Sequence, residues 1–134
     1  MSNCAKDTLE LENPNQVTSG TFWTSEVNVQ SALAATYGLL RDINGGFWGC
    51  RGIEFGNGRG DDFFVRNDVS DLYKLTTFAN TPDSYTANDF WSVSYQAIFR
   101  ANQILENVDK VTTLSDGAKN EYKAEAKFLR GLNY

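Results

Sequence analysis

The sequence lacks histidine altogether and is poor in several other residues that mark common functional sites. Its 134 residues include no His, two Cys, two Pro and one Met. Without histidine, neither a Ser-His-Asp triad nor a Cys-His catalytic pair can form, and no histidine-ligated metal site is available. The composition therefore excludes the commonest catalytic and metal-binding arrangements within this stretch of chain.

Positive charge and long apolar runs are also scarce. The chain carries 12 Lys and Arg against 17 Asp and Glu, a formal net charge of −5, and its basic residues form no cluster. Nucleic-acid binding therefore lacks the attraction to phosphate on which it depends. No apolar run approaches the roughly 18 residues of a membrane-spanning helix. The hydrophobic content of 41% is still sufficient for a folded core.

The cysteines and the acidic pair Asp61-Asp62 give no metal or disulfide signal. Cys4 and Cys50 have 45 residues between them, which is neither a metal-binding spacing nor a disulfide framework. The acidic pair lacks the spaced ligands and closing Glu of a calcium loop. Adjacent carboxylates also rarely face each other across the roughly 5–9 Å that glycoside hydrolysis needs. We therefore expect no metal, no cofactor and no catalytic site, with an acidic-pair hydrolase as the minor alternative.

Three segments have the periodicity of amphipathic helices. We predict helices over 25–41, from about 87 to 108, and from 116 to 134, where the chain ends within the pattern. Thr24 and Ser25 are suitable N-cap residues for the first helix. These three helices are the framework that the sequence predicts.

The second predicted helix has the widest apolar face, so we expect it to pack on more than one side. Trp91 and Tyr95 are expected in the core. Asn102 falls within the same apolar stripe, and a buried amide needs a hydrogen-bond partner from a neighbouring helix or loop. Thr86 is the predicted N-cap, because Asp89 follows it at the spacing of a capping box.

The stretch 42–86 differs in composition from the helices around it. Eight of the 11 glycines lie between residues 38 and 60, and each glycine costs about 1 kcal/mol inside a helix. We predict mostly loop here, with a short helix around 47–55, an extended piece over 72–78 and a turn at 81–83.

Aromatic side chains in the predicted loops leave two interpretations open. An exposed ring can cover the C–H face of a sugar while polar neighbours bond its hydroxyl groups. The same rings can instead form a satellite core beneath a long loop. The sequence favours neither interpretation for Trp48 or for the stretch 63–68, whereas Trp23, just before a helix, fits core packing better.

Three parts of the sequence carry a family resemblance. The entry begins Cys4-Ala5-Lys6-Asp7, residues 91–102 place Trp, Tyr, Ile and Ala-Asn at a regular spacing, and residues 124–131 read Ala-Glu-Ala-Lys-Phe-Leu-Arg-Gly. In this order they resemble the N-terminal part of the SusD/RagB family of glycan-binding outer-membrane lipoproteins. The pairs Glu54-Phe55 and Asp61-Asp62 resemble that family's glutamate and acidic pair.

The resemblance implies an all-α fold of tetratricopeptide-like helix pairs with a long glycine-rich loop region. The second and third predicted helices would form one pair, with Glu125 and Arg130 finding polar partners such as Asn102. Residues 1–23 would be the lipid-anchor linker and entry segment. Residues 24–134 would be the N-terminal part of a SusD-like helical domain, truncated inside its last helix. The residues implied to pack the pair are Trp91, Tyr95, Ile98, Phe128 and Leu129.

The resemblance also implies a function. Family members bind oligosaccharides at the cell surface for a TonB-dependent, SusC-like transporter and catalyse no reaction. Cys4 matches the lipid-attachment position, so the protein would face the exterior of the outer membrane and touch the membrane through its lipid anchor only. The expected ligand residues are Phe64, Arg66 and Asn67, with Trp48 as a further candidate. The implied partners are the transporter, the oligosaccharide and the C-terminal remainder of the same protein. The alternative is a helical scaffold for protein contact without its own sugar site.

Overall fold

The computed structural model of the protein describes residues 18–134. No β-strand occurs within this range, so the predicted all-α class is confirmed. A 3₁₀ turn at Val108–Lys110 follows the fifth helix. The six α-helices are α1 (Ser19–Phe22), α2 (Glu26–Leu39), α3 (Cys50–Asn57), α4 (Ser70–Thr76), α5 (Tyr85–Asn107) and α6 (Asp116–Asn133).

The helices α2, α5 and α6 form the framework of the molecule. Asp109, just after α5, pairs with Lys123 on α6 at 2.6 Å, whereas Asn102, earlier on α5, meets Arg130 later on α6 at 3.1 Å. The earlier residue on α5 thus contacts the later residue on α6, which shows that the two helices are antiparallel. The Asn102–Arg130 bond confirms the predicted partner of Asn102.

The main core lies between these three helices. Its first part is formed by buried side chains of all three, and Trp23 packs against its edge as predicted. A second part lies at the turn between α5 and α6 and includes Val29 from α2. Burying a Leu, Ile or Val side chain contributes roughly 1.5–3 kcal/mol each, so this core is the main source of stability. The buried residues of the two parts are Val29, Leu33, Leu40, Ile104, Val108, Val111, Leu114, Ala126 and Leu129.

Two of the predicted helix starts are confirmed by their capping bonds. Ser25 caps α2 by accepting a hydrogen bond from the backbone N–H of Asn28 at 3.4 Å. Ser115 caps α6 at the expected place, with its hydroxyl accepting from the N–H of Ala118 at 3.2 Å. Such side-chain caps satisfy backbone donors that the first turn of a helix leaves free.

The predicted start of α5 was wrong by two residues. Ser84, not Thr86, is the N-cap, and its hydroxyl accepts from the N–H of Ala87 at 3.3 Å. Thr86 is buried inside the first turn, and its backbone N–H donates to the carboxylate of Asp71 at 3.1 Å. The capping-box pattern with Asp89 failed because a residue distant in sequence supplies the acceptor.

The glycine-rich stretch contains two short helices. The predicted helix at 47–55 exists, but α3 runs from Cys50 to Asn57. The predicted extended piece at 72–78 was wrong, because α4 covers Ser70–Thr76 there. Leu72 and Leu75 stand one helical turn apart and are both buried, which is a helical spacing that the short apolar run did not reveal. The residues 82–83 form the predicted turn.

Glycine is required in α3 by close backbone approach. Gly52 is buried, and a Cβ atom at this position would overlap the carbonyl oxygen of Gly46 in the preceding loop. Gly56, one turn later in the same helix, has open space around it. The aromatic ring of Phe90 then fixes the glycine-rich stretch to α5: it packs edge-on to Phe47 at 5.0 Å and stacks on Phe55 at 5.3 Å.

The prediction that Trp91 and Tyr95 lie in the core was wrong. Trp91 is 63% exposed and Tyr95 is 46% exposed, and Phe128, which the resemblance implied as a packing residue, is 60% exposed. The buried face of α5 is formed instead by Ser94, Ala97, Ile98, Ala101 and Ile104. Periodicity marked a wide apolar arc, but within residues 18–134 the part of this arc that carries Trp91 and Tyr95 is left exposed.

The structure describes only the end of the predicted N-terminal segment 1–23. The irregular entry segment expected over 1–23 contains the short helix α1 at Ser19–Phe22. Cys4 and the rest of the proposed anchor lie outside the described residues. Among the helices that the structure describes, none has the length and apolar character needed to cross a membrane.

Candidate functional site

An open depression of about 460 Å³ lies on the surface of the glycine-rich stretch. It brings together three of the predicted site residues, Phe64, Arg66 and Asn67, and adds Asp68 and Tyr73, which the sequence analysis did not select. The candidate site is therefore built from one loop and from the helix α4 that follows it.

The loop 63–66 presents its side chains alternately to the interior and to solvent. Val65 is buried and Phe63 is half-buried, and both pack in a satellite core with Leu72 and Leu75 of α4. Phe64 points the other way and is 82% exposed. This alternation anchors the loop through every second residue and leaves the Phe64 ring free at the surface.

A turn follows at Arg66 and brings two opposite charges together. The backbone N–H of Val69 donates to the carbonyl of Arg66 at 3.1 Å, which closes the turn before α4 begins. On its outer side Arg66 Nη2 donates to Asp68 Oδ2 at 2.8 Å. Both side chains remain mostly exposed, so their free donors and acceptors are available to a ligand.

Tyr73 enters the site from α4 and is half-buried against the satellite core. Tyr73 was not among the predicted site residues, because residues 72–78 were predicted as an extended piece. In a helix, successive side chains are about 100° apart, so Tyr73 lies on the side of α4 opposite to the buried Asp71. The spacing of Leu72 and Leu75 was the signal that could have identified both the helix and Tyr73.

Trp48 does not line this depression. It is 60% exposed on the loop between α2 and α3, where its backbone N–H donates to the carbonyl of Leu40 at 2.8 Å. Its indole ring is therefore available to solvent at a different place from the residues of the depression. As a ligand residue, Trp48 stays a prediction.

The acidic residues that matched the family pattern have local partners or lie in solvent. Glu54 accepts a hydrogen bond from Arg51 at 3.1 Å and one from the Cys50 thiol at 3.4 Å. The bond to Glu54 raises the pKa of the Cys50 thiol above its usual value. Asp61 and Asp62 are exposed in the turn before the loop. No group of acidic or cysteine side chains within residues 18–134 is arranged to hold a metal ion.

A second, smaller depression of about 250 Å³ lies between α5 and the end of α6. The rings of Trp91 and Tyr95 are 4.6 Å apart along one side of it, and Tyr134 stands at the other. Ser94 and Asn133 lie at the buried edge, and the Asn133 amide donates to the carbonyl of Leu129 within α6. This aromatic groove, defined by Phe90, Trp91, Ser94, Tyr95, Asn133 and Tyr134, is distinct from the loop depression.

The lining of the loop depression combines an exposed aromatic ring with charged and amide groups. The exposed face of Phe64 can cover apolar C–H groups, and the charged and amide groups beside it can bond hydroxyl groups in both directions. The site is open, and its polar groups are those of the Arg66–Asp68 pair, Asn67 and Tyr73. This is the chemistry of reversible binding to a polyhydroxylated ligand.

The known proteins that match this sequence are SusD-like proteins. A SusD-like family model described as "starch-binding associating with outer membrane" matches residues 7–134. SusD-like protein P25 of Formosa agariphila is 30% identical over 122 residues, which are 85% of this chain and 23% of that protein. SusD-like protein P38 of the same organism is 26% identical over 133 residues, or 98% of this chain and 25% of that protein.

A solved structure agrees with the sequence relatives. The crystal structure of a SusD superfamily protein from Bacteroides vulgatus is 31% identical and matches with a TM-score of 0.79, covering 84% of this chain and 25% of that one. The present chain thus spans about a quarter of the length of the curated relatives it matches. Because the family model covers nearly the whole sequence, the resemblance inferred from the helix motifs is confirmed. The chain belongs to the SusD-like family, whose members associate with the outer membrane.

Proposed function

We propose that this protein holds an oligosaccharide at the cell surface and delivers it to a TonB-dependent, SusC-like transporter without catalysing a reaction. The observation that supports binding most directly is the Phe64 ring, 82% exposed beside the Arg66–Asp68 pair. The ring supports sugar binding through its polar neighbours, because an apolar face beside paired donors and acceptors matches the C–H face and the hydroxyl groups of a sugar. The family description, which names starch, points to a glycan as that partner.

The proposed pose follows from the chemistry of the lining residues. One sugar ring stacks its C–H face on Phe64. Its hydroxyl groups donate to the Asp68 carboxylate and accept from the Arg66 guanidinium, which remain within 2.8 Å of each other. The Asn67 amide can donate and accept, and the Tyr73 hydroxyl can do the same from the α4 side. Binding of this kind discriminates sugars by the positions of their hydroxyl groups.

Affinity electrophoresis of the full-length protein tests the proposal. Gels containing soluble starch, xylan, pectin or laminarin should retard the wild-type protein in one case at least. The Phe64→Ala variant should migrate on that gel as it does without polysaccharide. Phe99→Ala is the matched control, because Phe99 is also exposed, at 63%, but lies on α5 outside the depression. Retardation by none of the four polysaccharides would count against the sugar site.

The membrane attachment is proposed to run through Cys4, which precedes the described residues. Buried acyl chains contribute about 0.8 kcal/mol per CH₂ group, so lipidation at this residue would hold the protein at the membrane without a spanning helix. Labelling of cells with tritiated palmitate should label the wild-type protein. A Cys4→Ser variant that still carries label, or still sediments with membranes, would contradict the anchor.

The aromatic groove is proposed to receive the C-terminal remainder of the full-length protein. The curated relatives are about four times as long as the matched region, since that region covers 23% and 25% of them. Burial of the exposed Trp91 and Tyr95 rings would remove the apolar surface that this chain leaves in solvent. Hydroxyl-radical footprinting should show Trp91 protected in the full-length protein, with Trp48 oxidised as an internal reference. Equal oxidation of the two indoles would contradict the assignment.

A helical scaffold that contacts the transporter without a sugar site is the second candidate function. It is favoured by the exposed apolar side chains of the segment 43–53, which the depression does not use: Ile43, Phe47, Trp48 and Ile53. In this case, co-purification with a SusC-like barrel would be lost in Ile53→Ala and retained in Phe64→Ala, and no polysaccharide would retard the protein. Retardation on any of the four gels would exclude this candidate.

A further inference from the structure

Asp71 is the one acidic side chain that is buried among residues 18–134, with 8% of its surface exposed. Its Oδ2 atom accepts two hydrogen bonds, from the Ser84 hydroxyl at 2.7 Å and from the backbone N–H of Thr86 at 3.1 Å. A buried carboxylate is costly unless hydrogen bonds replace its lost hydration, so this placement is maintained by specific partners.

The partners of Asp71 belong to the first turn of α5. The Ser84 hydroxyl donates a hydrogen bond to Asp71 and accepts one from the N–H of Ala87 at 3.3 Å. Thr86 offers a second backbone donor of the same turn. Asp71 and Ser84 together satisfy two donors that α5 could not satisfy internally, and the positive end of the helix dipole further stabilises the carboxylate.

The helix that carries Asp71 has little other support. The seven-residue α4 receives no side-chain cap from Val69, and isolated helices of this length are unstable in water. Two sets of side-chain contacts attach α4 to the rest of the described chain: the satellite core with Leu72 and Leu75, and the hydrogen bonds of Asp71. α5, by contrast, extends into the main core.

The two sides of α4 therefore contact different parts of the molecule. Asp71 faces the N-terminus of α5, and Tyr73, about 200° further around the helix, faces the loop depression. We infer that Asp71 is a positioning residue for the glycan site: it ties α4 to α5 and thereby holds Tyr73 in the lining of the depression, without touching the ligand itself. This inference rests on the proposed function for its consequence in binding, but its structural part can be measured without a ligand.

Hydrogen exchange in the full-length protein tests the structural part. Asp71→Asn keeps the side-chain volume and removes the negative charge to which the Ser84 hydroxyl and the Thr86 N–H donate. Backbone amides of residues 63–76 should then exchange about tenfold faster or more, while α2 and α6 exchange as in the wild type. Asp83→Asn, an exposed charge removed next to Ser84, should leave all segments unchanged. Unchanged or uniformly faster exchange in Asp71→Asn would overturn the inference.

Titration with maltoheptaose, a soluble fragment of starch, tests the consequence for binding. Asp71→Asn should weaken binding about threefold to tenfold, and in the Tyr73→Ala background it should cause no further loss, since both changes act through Tyr73. Additive losses would overturn the inference, as would wild-type affinity in Asp71→Asn when Tyr73→Ala alone weakens binding. No binding by the wild-type protein would instead contradict the proposed function for this sugar, and hydrogen exchange would then decide the role of Asp71.

Discussion

Arg66 and Asp68 form an ion pair of 2.8 Å across the turn that leads from the Phe64 loop into α4. Their side chains are 76% and 60% exposed, and pairs this exposed contribute roughly 0–1 kcal/mol to stability because water screens them. The pair instead holds a donor and an acceptor at a fixed spacing beside an exposed ring. Under the proposed function, the pair acts by presenting both groups to the sugar.

Asp68→Asn separates this role from stability. The substitution should change the free energy of unfolding by less than about 1 kcal/mol, because the pair is exposed. Maltoheptaose binding should weaken several-fold, since a charged acceptor is lost and Arg66 is free to move. Thermal melting and calorimetric titration of the full-length protein measure the two effects.

Asp62→Asn is the matched control for Asp68→Asn. It removes an exposed carboxylate six residues earlier that does not line the depression. Wild-type affinity is expected in this variant. A loss as large as that of Asp68→Asn would mean that overall negative charge, rather than the depression, governs binding. Loss of a measurable polysaccharide-hydrolysing activity in Asp61→Asn or Asp62→Asn would revive the hydrolase alternative.

Alanine substitutions at two glycines of α3 should change the stability of the protein in opposite directions. At Gly52 the new Cβ would overlap the carbonyl of Gly46, so Gly52→Ala should destabilise the protein. At Gly56 there is open space, and alanine should stabilise the helix by up to about 1 kcal/mol through its higher helix propensity. Urea unfolding of the two variants gives the comparison. Equal effects of either sign would contradict the close approach of α3 to the preceding loop.

The sequence predicted best the parts of the fold that depend on local patterns. The bounds of α2 and the start of α6 follow from apolar spacing and from Ser25 and the residues at 115–116. The predicted start of α5 was wrong because Ser84 is the cap: its hydroxyl accepts from the N–H of Ala87 and also donates to Asp71, which is distant in sequence. Such a contact leaves no periodic trace, so local reasoning could not find it.

The candidate site was predictable only in part. The alternation of Phe63, Phe64 and Val65 could indicate an anchored loop, and Phe64, Arg66 and Asn67 are adjacent in sequence. Tyr73 could not be placed while α4 was taken as extended, since its direction depends on the helix. The exposed positions of Trp91 and Tyr95 were also beyond the sequence, because a wide apolar arc does not say which neighbours cover it.

The stability of the protein should depend on pH through Asp71. Burial raises the pKa of the Asp71 carboxyl, but the hydrogen bonds from Ser84 and Thr86, with a smaller effect of Lys74, outweigh it and hold the pKa below its usual value. A lowered pKa in the folded state adds stability above the ordinary aspartate pKa of about 3.9, and this contribution is lost as the pH falls through the folded value.

Asp71→Asn should therefore cost most at neutral pH. At pH 7 we expect a loss of roughly 1.5–3 kcal/mol, the usual contribution of hydrogen bonds to a charged group. Below about pH 4 the difference from wild type should shrink, since the wild-type carboxyl is then also uncharged. Urea unfolding of the full-length protein between pH 3 and pH 7 measures this difference. A difference that is independent of pH would contradict the carboxylate network.

Shortening a buried side chain of α5 should lower the stability of the protein much more than shortening an exposed side chain of the same helix. Ile104 is fully buried between α2, α5 and α6, and Ile104→Ala should cost roughly 2–5 kcal/mol because it leaves a cavity. Phe99→Ala on the exposed side of α5 should change stability by about 0.5 kcal/mol or less. Chemical denaturation of both variants checks the difference. A small cost at Ile104 would contradict the packing of the three helices.

Isothermal titration of the full-length protein shows whether the Phe64 depression binds a glycan. The titrant is maltoheptaose, or the oligosaccharide of whichever polysaccharide retards the protein. Phe64→Ala should weaken binding at least tenfold, about 1.4 kcal/mol, while Phe99→Ala binds as the wild type does. Wild-type affinity in Phe64→Ala, with melting temperatures unchanged in both variants, would contradict the account.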